Sequence, residues 1–120
     1  MRIGIDARMI FMSGIGTYLR NLIKGLRRLG EDHEYVVIIQ DGDRERFHPP
    51  GENFSLIFSR ARPYSLSEQV GLARLVEAQN LDLVHHPHYA APMFGRTPMV
   101  ATIHDLIHQL FPEQCPSKLA

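Results

Sequence analysis

The stretch from Arg2 to Leu29 constrains this chain more than any other. Arg2-Ile3-Gly4-Ile5-Asp6 is a short apolar run that reads as a buried strand, and Ser13-Gly14-Ile15-Gly16-Thr17 reads as a small-residue loop. Beyond it, Tyr18, Leu19, Leu22, Ile23, Leu26 and Leu29 recur at the three- and four-residue spacing of one buried helical stripe. Gly30 is placed to cap that helix at its C-terminus. Strand, glycine loop, helix is the first half of a βαβ unit. It brings backbone N–H groups and the positive end of a helix dipole to the carboxyl end of the strand, where α/β proteins bind anions.

The glycines do not complete a known nucleotide signature. Gly14-x-Gly16 continues as Thr17-Tyr18-Leu19, without the third glycine of a dinucleotide fingerprint, and no Gly-Lys-Ser/Thr follows. The simpler alternative is that they supply only a tight turn and a close approach of helix to sheet.

The rest of the chain extends the pattern. Tyr35–Ile39 and Phe54–Phe58 read as strands, the first buried on both faces as in a parallel sheet. Between them, Asp41–Arg46 and His48–Gly51 are polar and turn-rich, a loop with one short helical turn. Arg60–Tyr64 is a further loop. Ser65-x-x-Glu68 reads as a capping box opening a second helix to about Asn80, with Leu66, Val70, Ala73 and Val76 or Glu77 facing inward.

Leu81–Val84 is then a fourth strand, ended by His85-His86-Pro87, and Pro98–Ile103 a fifth. The tail from His104 carries Pro112 and Pro116 and is poor in helix pattern, and Ser117–Ala120 reads as a helix start cut short. Alternating strands and helices predict an α/β class: a Rossmann-like open parallel sheet with flanking helices and right-handed crossovers. Residues 1–120 are expected to form one domain, truncated at its C-terminal end.

Composition excludes several function classes. Lys plus Arg and Asp plus Glu are 13 each, so no net field favours nucleic acid. The single cysteine, Cys115, rules out an internal disulfide and suits a reducing compartment. No apolar run is long enough to span a bilayer, and the N-terminus reads as a core strand. The expected location is cytoplasmic. Arg20, Lys24, Arg27 and Arg28 on the first helix offer peripheral contact with an anionic membrane, with a solvated helix face as the simpler alternative.

Four groups of residues could carry chemistry, each in a loop after a predicted strand: Asp6-Ala-Arg8 with Gly14 and Gly16; His85, His86, His88 and Tyr89; Thr102, His104, Asp105 and His108; and Arg60 with Arg62. Their common placement at the carboxyl edge points to a shared cleft. His86, His88 and Asp105 form a conceivable His₂-carboxylate metal set, but without regular ligand spacing, and polar cleft lining is the simpler reading. His104 beside Asp105 suits exchange of a hydrogen bond with a sugar hydroxyl or a leaving phosphate; a strand-end cap is the alternative. No Gly-x-Ser-x-Gly elbow is present.

Four blocks in order carry a family resemblance. Ile3-Gly-Ile-Asp-Ala-Arg8, Ser13-Gly-Ile-Gly-Thr-Tyr18-Leu-x-Asn-Leu22, Asp82-Leu-Val-His-His-Pro87, and Val100-Ala-Thr-Ile-His-Asp-Leu106 with Phe111-Pro-Glu113 resemble the N-terminal half of GT-B glycosyltransferases. The chain is most similar to family 4, the retaining group 1 transferases, which include many mannosyltransferases. The resemblance covers about Arg2 to Glu113.

What it implies is a metal-independent transferase without a cofactor, moving a sugar, mannose among the candidates, from a UDP- or GDP-sugar donor to a glycan or lipid-linked acceptor. It assigns Gly14, Ile15 and Gly16 to the donor diphosphate. It assigns His104, with Asp105 after it, to the transferred sugar. Arg8, His86, His88 and Tyr89 are expected at the acceptor or lining the cleft. The family's C-terminal donor domain, with its Glu-x7-Glu motif, is not in these 120 residues, so the isolated chain is expected to be inactive.

Two other readings stand beside this one. One is a non-catalytic α/β binding module or a subunit of a split transferase, whose exposed apolar edge would favour self-association. The other is a metal-dependent hydrolase using His86, His88 and Asp105.

Overall fold

Five strands pair in parallel in the order β3-β2-β1-β4-β5, in a computed structural model that describes residues 1–30, 32–63, 65–66, 68–89, 91–106 and 110–111. The strands are β1 (Arg2–Asp6), β2 (Glu34–Gln40), β3 (Phe54–Ser59), β4 (Leu83–His86) and β5 (Met99–Ala101). The helices are α1 (Gly14–Arg28) and α2 (Ala73–Glu77), the latter entered through a π-helical turn at Glu68–Leu72. A single 3₁₀ turn, Asp41–Asp43, interrupts the β2–β3 connection. The expected α/β sheet with flanking helices is the one observed.

Strand alternation builds a core on each face of the sheet. On one face, Ile5, Tyr35, Val37, Ile39 and Phe54 meet Leu19 and Ile23 of α1. On the other, Val36, Ile38 and Val84 meet Leu72 and Val76. Strand β2, between β1 and β3, is therefore apolar at every position from Tyr35 to Ile39. Each such side chain, fully buried, contributes about 1.5–3 kcal/mol. At its far end α1 stops where Gly30 adopts φ +102°, a left-handed conformation that glycine takes without a Cβ clash. Arg27 and Arg28 in the last turn face the negative end of the dipole.

Three sequence expectations need correcting. Helix α1 starts at Gly14, so Gly14-Ile15-Gly16 is its first turn and not a loop before it. Strand β4 begins two residues later than expected and includes His85 and His86, because β1 sets its register, Ile3 against Leu83 and Ile5 against His85. The segment expected as one helix from Ser65 to Asn80 is shorter and turned. Leu66 is 91% exposed and Val70 53%, while Glu68, Leu72 and Val76 form the buried stripe. Glu68 points inward to an arginine, so the expected capping box has its acidic member inside the protein.

Tyr64, His108, Cys115, the expected prolines 112 and 116, Glu113 and the expected helix start at 117–120 lie outside the described residues.

Candidate functional site

Strand order defines where a ligand crevice can open. From β1 the chain runs outward through β2 to β3, then returns to the other side of β1 to lay down β4 and β5. The switch point therefore lies at the carboxyl ends of β1 and β4, the place where open α/β sheets bind ligands. Asp6 and His86 end these strands. His85 and His86 are adjacent in one strand and so project to opposite faces of the sheet.

On the α2 side the chemistry is sealed. The guanidinium of Arg8 donates from Nε to Asp6 Oδ1 at 2.8 Å, from Nη2 to Asp6 Oδ2 at 2.8 Å, and from Nη1 to the Ala61 carbonyl at 3.0 Å. The same Nη2 pairs with Glu68 Oε1. Asp6 Oδ2 also lies 3.0 Å from His86 Nδ1 and 3.4 Å from His88 Nε2. Asp6, Arg8, Glu68, His86 and His88 are each at most 4% exposed. Burial alone would raise the Asp6 carboxyl. Hydrogen bonds from Arg8, His86 and His88, with the Arg8 charge, outweigh it and hold Asp6 well below the usual carboxylate range.

This network ties the end of β1 to β4, to the loop at Ala61 and to the π-helical turn. Asp6, Glu68 and His88 are also the group of metal-type ligands that comes together among the described residues, and the Arg8 cation already bridges its two carboxylates. His86, His88 and Asp105 do not form such a group. The metal set conceived from sequence has no geometry behind it.

On the α1 side the chemistry is open. Tyr18, in the second turn of α1, sets its ring edge-on to His104 with centroids 4.9 Å apart. Its hydroxyl is 3.3 Å from Thr102 Oγ1, which in turn is 2.7 Å from His85 Nε2. His104 donates from Nε2 to the Pro87 carbonyl at 2.8 Å. A carbonyl only accepts, so this bond fixes the proton of a neutral His104 on Nε2 and leaves Nδ1 as an acceptor. His85 is held below the ordinary histidine value, first by partial burial and then by repulsion from His86.

The first turn of α1 lies two to four residues before Tyr18. Ser13 makes no side-chain capping bond to it, and the turn contains no acidic residue. Its leading N–H groups thus have no intrahelical acceptor and form the positive pole of the helix. The two glycines there differ. A Cβ on Gly16 would stand 2.5 Å from the Ile10 carbonyl oxygen, so close approach requires glycine; a Cβ on Gly14 would meet nothing within 4 Å.

The sequence candidates thus separate. Gly14, Ile15 and Gly16 form the helical turn before Tyr18, His104 packs against the Tyr18 ring, and Asp105 follows on the exposed surface. Arg8, His86 and His88 are inside, with polar atoms turned on one another, whereas Tyr89 is 49% exposed. Arg60 lies after β3, four strands from β5 and so roughly 19 Å across the sheet; it is 92% exposed beside Asp41. Arg62 is likewise exposed at that edge. One shared cleft for all four groups is not what the fold builds.

Sequence reasoning missed Tyr18 and Glu68 as polar participants. Tyr18 occupies a position of the apolar helical stripe and gives no separate signal. Glu68 does give one, because it precedes Leu72 and Val76 at four-residue spacing.

The model of Glycosyltransferase Family 4 matches residues 12–119, a span that includes the first turn of α1, the β4 histidines and His104. Among curated proteins and among solved structures no match is found. With a parallel Rossmann-like sheet, a glycine-led α1 and a family match over most of its length, the chain belongs to glycosyltransferase family 4.

Proposed function

We propose that this chain is the acceptor-side domain of a retaining, metal-independent transferase. It would move a sugar, mannose as the first candidate, from a UDP- or GDP-sugar to a glycan or lipid-linked acceptor. The observation that carries the reading is the packing of His104 against Tyr18, which follows the first turn of α1 in the same helix. Amides of the turn at Gly14, Ile15 and Gly16 suit a diphosphate, by charge and by hydrogen bonding. His104 Nδ1 suits a sugar hydroxyl as donor partner, with Asp105 beside it in sequence.

Arg8, His86 and His88 act from within, holding the ends of β1 and β4 that frame the acceptor side, and Tyr89 meets the acceptor at the surface. Stabilising the departing nucleoside diphosphate demands further cationic or dipolar groups, which the reading assigns to a second domain. Transfer by residues 1–120 alone is therefore not expected. The proposal includes a cytoplasmic location, at the membrane surface when the acceptor is a lipid.

The test is a transfer assay on the chain joined to its donor domain, with UDP- and GDP-sugars and a chelator present. Sugar transfer that persists in the chelator is expected; hydrolysis without transfer, or dependence on added metal, contradicts the proposal.

A second reading rests on a separate observation. The edge strand β5 is exposed at all three residues, unlike the interior of a parallel sheet, and Met93, Phe94 and Ile103 are exposed near it in sequence. A split transferase whose subunits meet along this edge, or a self-associating binding module, would cover that surface.

A further inference from the structure

The helix that presents Tyr18 to the candidate site carries different chemistry on its other side. Arg20, Lys24 and Arg27 follow one another at i, i+4 and i+7, which stacks them on one face. At 3.6 residues per turn this face is turned roughly 180° from Tyr18. The segment after the 3₁₀ turn passes alongside and encloses a groove of about 200 Å³, lined by those three cations, His48, and the apolar Ile23, Phe47 and Pro50.

Among the described residues, no carboxylate lines the groove. In the neighbouring loop Asp41 pairs with Arg44 and Asp43 with Arg46, and Glu45 and Glu52 are not among the residues that line the groove. Arg20 is fixed by neutral acceptors, donating to the Ile10 carbonyl at 2.6 Å and to Thr17 Oγ1 at 3.0 Å. Its charge is thereby positioned without being neutralised. Among the described residues, Lys24 and Arg27 have no ion-pair partner. Helix α1 contains no acidic residue at all, in a chain whose net charge is zero. Positive charge is concentrated here and left uncompensated around a partly apolar floor.

We infer that this groove binds a phosphate-bearing ligand, with Lys24 and Arg27 as the principal contacts, Arg20 as a fixed charge at one end and His48 as a donor from the opposite wall. Several close cations without carboxylates select a multiply charged anion, and charge-assisted hydrogen bonds give it affinity. The phosphate could belong to a soluble molecule or to a lipid headgroup, since the chemistry recognised is the same. The inference stands apart from the transfer reading, because none of these side chains lies in the Tyr18–His104 cluster.

The experiment is an NMR titration of the chain with inorganic pyrophosphate at fixed ionic strength, with a Lys24→Gln/Arg27→Gln double variant and Arg62→Gln as a surface control. A parallel arm measures sedimentation with vesicles of phosphatidylcholine, with and without phosphatidylglycerol. Pyrophosphate should shift the amides of residues 20–27 and 47–48, and the double variant should bind about tenfold more weakly or worse, with the control unchanged. Binding to anionic vesicles alone, lost in the double variant, would assign the phosphate to a lipid headgroup and equally support the groove. Shifts confined to residues 14–16 would locate an anion at the α1 first turn and overturn the groove proposal while leaving the transfer reading intact. Absence of both responses, or equal binding by the double variant, also overturns it.

Discussion

The Nε2–H of His104 points at the carbonyl oxygen of Pro87, 2.8 Å away, and this one bond determines what the imidazole can do. Pro87 directly follows His86, the last residue of β4, so the carbonyl is anchored to the sheet. Tyr18 closes on the ring edge-on from α1. A neutral His104 so held offers only Nδ1 as an acceptor, which is the polarity needed to receive a hydroxyl proton in a hydrogen bond. Long-range ¹H–¹⁵N correlation spectra above the pH of histidine titration should show His104 as the Nε2–H tautomer. An Nδ1–H tautomer would remove the basis for its assigned role.

The two glycines that open α1 should respond oppositely to alanine. Gly16→Ala forces a methyl group against the Ile10 backbone oxygen and should destabilise the chain by about 1–3 kcal/mol. Gly14→Ala enters open space and should be neutral or stabilising by up to about 1 kcal/mol. Urea unfolding midpoints at constant slope measure both. Equal losses would show that the close approach at Gly16 is not what requires glycine.

Arg8 holds two buried carboxylates, and its removal strands both. Arg8→Met should cost about 3–5 kcal/mol, the usual penalty for breaking a buried ion pair from one side. Glu68→Gln, which keeps shape and hydrogen bonding, should cost less. A small effect of Arg8→Met in chemical denaturation would mean that water reaches Asp6 and Glu68.

Acid should erode stability in two steps of the same sign. His85 titrates below its ordinary 6.5, so its contribution is present above that value and fades as pH falls through the lowered one. Asp6 titrates well below 3.8, so its contribution is complete above that value and is lost only at stronger acidity. In each case the unfolded chain takes up the proton first. An Asp6→Asn variant should be less stable at neutral pH and should lack the second decline. Persistence of that decline in the variant would assign it to another carboxylate.

Much of the fold can be read in the sequence because its signals are local. The β-branched run 35–39, the 3.6-residue apolar stripe of α1 and Gly30 each report their own surroundings, and they form the expected elements. The errors arise where a distant partner overrides a local signal. Glu68 has the spacing of a helix cap, yet Arg8, sixty residues away, draws it inside and turns the helix with it. His85 and His86 resemble strand terminators, yet pairing of His85 with β1 and of both with β5 carries them into β4. The site divides for the same reason. Strand alternation sends His86 to Asp6 and His85 to Thr102, a separation that no motif encodes.

The most direct test of the central claim is turnover by a His104→Ala variant of the transferase in its full-length form, read against its circular dichroism and melting temperature. With the ring gone, the hydrogen bond proposed to the transferred sugar would be lost, while the sheet and α1 should be unaffected. Sugar transfer should fall by about 100-fold or more with the fold unchanged. Turnover within a factor of about two of the parent would contradict the role of His104 and the reading of this cluster as the transfer site.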